Sequence, residues 1–115
     1  MSRICLVISL SPEGLVNRLV STGHALRSGF DSIPCALVSA QLRSFGVLVS
    51  GKHEIQVRGR LDSPGSFGLE LIAIEPVMKN WYRGASDLLV RALSDINRDF
   101  PDQVQLTIEA AMQEI

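Results

Sequence analysis

Two side chains able to carry acyl-transfer chemistry, His24 and Cys35, stand eleven residues apart. Cysteine attacks as the thiolate, and a helix N-terminus or a neighbouring imidazolium draws a thiol pKa from about 8.5 into the range of roughly 3.5 to 7.5. Cys35 follows Pro34, which suits the first turn of a helix because the N–H it lacks would have found no intrahelical acceptor there. Asp31 and Ser32, just before, are residue types that cap helix N-termini. The thiol is therefore expected in a helical first turn, where N–H groups without an intrahelical acceptor could also steady an oxyanion. His24, in the loop before it, could fold back to take the thiol proton and later pass it to a leaving amine. A cysteine and a histidine alone are a weak pattern, because a buried structural cysteine and an ordinary loop histidine meet the same description.

Elements on either side must position these two residues. Ile4–Leu10 is rich in β-branched residues and runs into the turn Ser11-Pro12-Glu13-Gly14, after which residues 15–20 resume an extended pattern, so an N-terminal hairpin is expected. Residues 21–32 hold two glycines and no sustained period, which reads as a loop. From Pro34 the pattern is helical, with Ala36, Leu37, Ala40, Phe45, Leu48 and Val49 on a broad buried face and Ser50-Gly51 as the stop, glycine giving a left-handed cap. Between His53 and Leu61 the alternation sets Ile55, Val57 and Leu61 against Glu54, Gln56, Arg58 and Arg60, a strand with one wet face.

A turn at residues 62–66 leads to a second, more buried strand at 67–74. Met78, Trp81, Ala85, Leu88, Leu89, Ala92 and Ile96 then recur at helical spacing before the polar exit at Asn97–Pro101. Val104, Leu106, Ile108 and Ala110 alternate with polar residues as a half-buried final strand. The order is ββαββαβ, which favours a two-layer α+β architecture: an antiparallel or mixed sheet covered by two helices, the two ββα units roughly similar in outline.

At 115 residues, 46% of them apolar, the chain suits one domain over 1–115, small enough that dimerisation is expected to cover leftover apolar surface. Eleven basic against twelve acidic residues, interspersed along the chain, give no overall positive field for nucleic acid. Two widely separated cysteines do not make a secreted disulfide framework, and a reducing cytoplasm fits best. Ile4–Leu10 runs into its turn without a cleavage pattern, and no run approaches the roughly 18 uninterrupted apolar residues of a membrane span, so a soluble protein is expected. Neither a metal-ligand cluster nor a phosphate-cradling glycine motif is present, and no cofactor is expected. Cys5 reads as core, His53 as solvated, and Trp81 and Tyr82 as core or dimer contacts. Arg58 and Arg60 read as a solvated face, with RNA or an acidic partner as the alternative.

A fuller pattern separates the readings of the cysteine and histidine. Gly23-His24-Ala25, a short loop, then Asp31-Ser32-Ile33-Pro34-Cys35-Ala36-Leu37-Val38-Ser39 resembles the paired motif of the ribosomal-processing cysteine protease (Prp) family, Gly-His-Ala followed by Asp-x-x-Cys-Ala-x-x-Ser. The resemblance implies a cysteine endopeptidase that removes the N-terminal extension of a bacterial large-subunit ribosomal protein through a His24–Cys35 dyad and a thioester. It implies a homodimer, with the ribosomal protein precursor as the partner, and a loop from Gly23 to Ser32 that orders around the peptide. Asp31 then caps the helix or orients His24, and Ser39, one turn beyond Cys35, supports the site through a hydrogen bond. Pro34 departs from the pattern, standing where the family more usually has an aliphatic residue, and removes one N–H beside the nucleophile. The rival readings are a non-catalytic ribosome-associated binding protein using the arginine-bearing strand face, and another thiol-dependent hydrolase such as a thioesterase or amidase.

Overall fold

The computed structural model describes residues 3–23, 33–60 and 66–111. Five strands and two helices follow in the expected order: β1 (Ile4–Leu10), β2 (Val16–Thr22), α1 (Ile33–Ser50), β3 (Ile55–Arg60), β4 (Ser66–Ile74), α2 (Lys79–Asp99) and β5 (Val104–Ala110). A single 3₁₀ turn, Pro76–Met78, leads into α2. The strands form one sheet in the order β3-β4-β2-β1-β5. Every neighbouring pair is antiparallel except β1 and β5, which run parallel, so the sheet is mixed. Each ββα unit is a hairpin followed by a helix, and the hairpins join through β2 and β4.

The β1–β2 turn closes through backbone and side chain together. Gly14 adopts φ +85° and donates to the Ser11 carbonyl at 2.9 Å, while the Leu15 N–H donates to Ser11 Oγ at 3.2 Å. Strand β2 continues past the expected end at Val20 as far as Thr22. Ser21 and Thr22 lie in the middle of the sheet, Thr22 paired with Cys5 on one side and Ser66 on the other.

One sheet face is buried by the helices. Ile4, Leu6 and Ile8 of β1, Leu19 of β2, Leu69 and Leu71 of β4 and Val104 of β5 share it with the inner sides of α1 and α2. Burying these side chains contributes about 1.5–3 kcal/mol each, which is what holds the helices to the sheet. Cys5 is not core: side chains alternate along a strand, so it projects from the opposite face and is exposed.

Helix α1 is seated differently from the expected face. Pro34, Val38, Leu42, Phe45 and Val49 are buried, whereas Leu37 and Leu48 are 40% and 49% exposed, so the helix is not buried all round. Both sides of α1 are apolar, and contact with the sheet and α2 selects which is inward. Among the described residues, α1 is long and apolar enough, by length and composition, to cross a bilayer, although its inner face belongs to the core. Its C-terminus has no left-handed cap: the Gly51 N–H and Ser50 Oγ both donate to the Val47 carbonyl, and among the described residues the positive-φ glycines are Gly14 and Gly23.

In α2 the inner face is Tyr82, Ser86, Leu89, Leu93 and Ile96, and Leu88 is 69% exposed. Phe45 of α1 meets Tyr82 edge to face, ring centroids 5.9 Å apart. The last third of α1 thus adjoins the first turn of α2, and the two helices run antiparallel. Strand β3 begins at Ile55, not His53, because the Ile55 N–H closes a turn on the Lys52 carbonyl. Strand β5 is an edge with only Val104 fully buried.

Candidate active site

The antiparallel helix pair fixes which end of the molecule holds the cysteine. α1 delivers the chain to the start of β3, beside the end of β4, so its first turn lies toward the opposite end of the sheet, where β2 finishes and β4 begins. Eighteen residues at 1.5 Å per residue span about 27 Å, close to the length of the sheet. Gly23 and Cys35 therefore sit at the same end of the fold. His24 and Asp31 lie in the segment between them, outside the described residues.

Cys35 is the third residue of α1, half-buried and packed against the core beside buried Pro34. The expected first-turn placement of the thiol is met. N–H groups in this turn point toward the helix N-terminus, and Pro34 removes one of them. Ser39 stands one turn further along on the same side as Cys35 and is exposed.

Gly23 has a steric reason to be glycine. It leaves β2 with φ +89°, and a Cβ placed there would run into the Arg3 carbonyl oxygen and lie 3.3 Å from its carbon. Only a residue without a side chain can pass so close to the β1 backbone in that conformation. Arg3 is in turn tied to the start of β5: its Nη1 donates to Gln105 Oε1 and its Nη2 to the Pro101 carbonyl, each at 3.2 Å. Sequence reasoning missed Arg3, and no periodicity or motif could have pointed to it, because the contact is made by its backbone.

The other conspicuous residues are elsewhere. His53 is exposed at the far end of the sheet, its Nδ1 3.6 Å from Glu54 Oε1, as a solvated histidine would be. A shallow groove lined by residues including His53, Gln56, Ile74 and Pro76 is at that far end too, away from Cys35. Arg58 on the open sheet face is engaged by Glu70 at 3.0 Å. Tyr82 is fully buried and is core, while Trp81 is half-buried beneath the Lys52 ammonium, 5.2 Å from its ring centre. Among the described residues, no three His, Cys, Asp or Glu side chains come together as metal ligands would.

No family model matches the chain, and no curated protein matches it. Solved structures do. The essential ribosomal processing protease Prp of Staphylococcus aureus, in complex with a covalently linked product peptide, superposes with a TM-score of 0.76 at 21% identity, covering 92% of this chain and 99% of that one. The same protease with a substrate peptide gives a TM-score of 0.76 at 18% identity over the same shares of the two chains. A Streptococcus mutans protein gives 0.80 at 18% identity, covering 96% of this chain and 97% of that one. At these identities the likeness is one of fold: the mixed five-stranded sheet with two helices on one face is the architecture of these proteins.

Proposed function

We propose that this chain is a cysteine endopeptidase of the ribosomal-processing (Prp) family that removes the N-terminal extension of a bacterial large-subunit ribosomal protein. The observation that carries the reading is the half-buried Cys35 in the first turn of α1, within a fold shared with a ribosomal processing protease. That protease has been seen with both a substrate and a product peptide, which supports a peptide as the ligand here.

In this reading His24 takes the proton from Cys35 Sγ, and the thiolate attacks the scissile carbonyl. The tetrahedral oxyanion faces the N-terminal end of α1, where the dipole and first-turn N–H groups favour negative charge. Collapse breaks the C–N bond as His24 returns the proton to the departing amine, leaving a thioester on Cys35. Water, deprotonated by His24, hydrolyses the thioester and restores the thiol. Asp31 caps α1 or orients His24, and Ser39 supports the site from the next turn. The reaction requires no metal or cofactor.

The functional unit is a cytoplasmic homodimer of the single domain 1–115. Ile33, Leu37, Val47 and Leu48 on the outer side of α1 are 40–68% exposed and are interleaved with Ala40 and Ser44 without a charge. Such a stripe is self-complementary about Ala40 and suits a second copy in antiparallel contact. Direct nucleic-acid binding has no part in the reading, since eleven basic against twelve acidic residues give no overall positive field.

The test is to incubate the protein with the ribosomal protein precursor of its own genome and follow the mass, beside Cys35→Ala and His24→Ala. One N-terminal cut, lost in both variants, is the expected result. An intact precursor that does carry an extension would reject the reading in favour of a ribosome-binding role, to be sought next by co-sedimentation.

A further inference from the structure

We infer that the outer edge of β5, from Leu106 to Ala110, is a docking strip for an extended segment of a separate polypeptide that carries a basic side chain beside an apolar one. β5 ends the sheet, so one row of its backbone groups has no neighbouring strand. Two hydrogen bonds show which row that is. The Ile4 N–H donates to the Gln103 carbonyl at 2.9 Å and the Ala111 N–H to the Leu10 carbonyl at 2.7 Å, so the odd-numbered residues face β1. Backbone groups of successive strand residues point to opposite sides, and the even-numbered ones therefore face outward. The first half of the outward row is already closed: the Val104 N–H donates to the Phe100 carbonyl and the Leu106 N–H to Asn97 Oδ1, each at 2.9 Å. Beyond them, the Ile108 and Ala110 N–H groups and the Leu106 and Ile108 carbonyls face outward with no partner among the described residues.

Such a row of alternating donors and acceptors is matched by another extended backbone. The other edge of the sheet, β3, is interrupted by a bulge between Gln56 and Val57 and carries Arg58, both of which deter strand addition, whereas β5 keeps unbroken register with β1. Side chains set the chemistry of the occupant. Ile108 lies on the helix side with Val104 and Leu106 and is 44% exposed, so it offers apolar contact to one residue of an added strand. Glu109 projects from the open face, where its Oε1 accepts from Ser9 Oγ at 3.0 Å and no Lys or Arg among the described residues pairs with it. A strand laid on this edge thus sets an apolar side chain by Ile108 and, from the neighbouring residue on the other face, a basic one by Glu109. The strip is at the Leu10 end of β5, away from Cys35, and does not depend on the protease reading.

The test is amide hydrogen exchange of the full chain, read by NMR, with an end-capped heptapeptide of alternating lysine and valine as the probe. Without peptide, the Ile108 N–H should exchange at least about tenfold faster than the Leu106 N–H, which Asn97 holds. Peptide at about 1 mM should slow exchange at Ile108 and Ala110 by about fivefold or more. The same peptide N-methylated at two successive central residues should not slow it. Ile108→Pro removes only an outward N–H, spares the ladder to β1 and should abolish binding, while Ile108→Ala keeps the donor and should weaken binding by about two- to fivefold. Where Ile108→Pro fails to fold, the N-methylated peptide makes the same distinction from the ligand side. Glu109→Gln should weaken binding by about two- to fivefold and remove most of its salt dependence. No slowing at Ile108, or equal slowing by the plain and N-methylated peptides, would overturn the inference. Slowing that follows protein concentration without peptide would overturn it too, because the edge would then belong to a second copy of this chain.

Discussion

Tyr82 donates its phenolic hydrogen to the Val16 carbonyl at 2.7 Å, from a side chain with no exposed surface. Ser86, one turn along α2, accepts from the Val16 N–H at 3.0 Å. Strand β4 pairs with β2 only from Arg18 to Thr22, so Val16 lies beyond that ladder. Two side chains of a helix take the place of a neighbouring strand for this residue. They anchor α2 to the start of β2 at the end of the sheet away from Cys35.

Tyr82→Phe should therefore destabilise by about 1–3 kcal/mol at neutral pH, because the buried Val16 carbonyl loses its donor while the ring volume is kept. The loss should depend on pH. Burial pushes the Tyr82 phenol above its ordinary value of 10.0, so the unfolded chain ionises before the folded one. The group thus contributes stability that is complete below pH 10 and declines as pH rises beyond it. The variant lacks this decline, and the chain has no other tyrosine. Urea midpoints of the two proteins should converge between about pH 8 and about pH 11; a constant gap would mean that the phenol stays accessible to hydroxide in both states.

Alternation and turn chemistry made the strands legible, and their limits show in particular residues. Ile4–Leu10 is apolar at nearly every position, so composition hid the parity that places Ile4, Leu6 and Ile8 inward and Cys5 outward. Helix α1 is apolar on two sides, and only the tertiary contact tells Val38 and Leu42 from Leu37 and Leu48. The first-turn position of Cys35 was readable because Pro34 has a strong positional preference. The constraint on Gly23 was not, since its partner is a backbone carbonyl twenty residues away in sequence. Of the motif residues, His24 and Asp31 fall outside the described residues.

Gly23→Ala should cost about 1–3 kcal/mol, because a Cβ meets the Arg3 backbone and the left-handed conformation disfavours a side chain. Gly68→Ala is the control. Nothing lies within 4 Å of a Cβ at Gly68, and its effect should stay within about 0.5 kcal/mol. Thermal unfolding of both variants checks the contrast, and equal losses would refute the steric account.

The two sides of α1 should respond differently to truncation and charge. Leu42→Ala opens a cavity under a residue only 4% exposed and should lose about 2–5 kcal/mol. Val47→Lys, at a position 68% exposed, should keep the fold within about 0.5 kcal/mol as a monomer but set an unpaired ammonium into the apolar α1–α1 contact. Sedimentation velocity should then show dimers for wild type and monomers for Val47→Lys. Dimers in both would remove the outer side of α1 from the interface.

Ser39 gives a graded test of how far the site extends beyond the thiol. It shares a side of α1 with Cys35 one turn away and is exposed, so its hydroxyl has water as an alternative partner. A hydrogen bond in that setting is worth about 0.5–1.5 kcal/mol, and Ser39→Ala should lower kcat/KM by roughly two- to twelvefold. Cys35→Ala, by contrast, removes the nucleophile and should abolish turnover. A loss above about a hundredfold in Ser39→Ala would place the hydroxyl among the reacting groups rather than beside them. No loss at all would make Ser39 a solvated helix residue, and the site would then end at Cys35 and the N-terminal turn of α1.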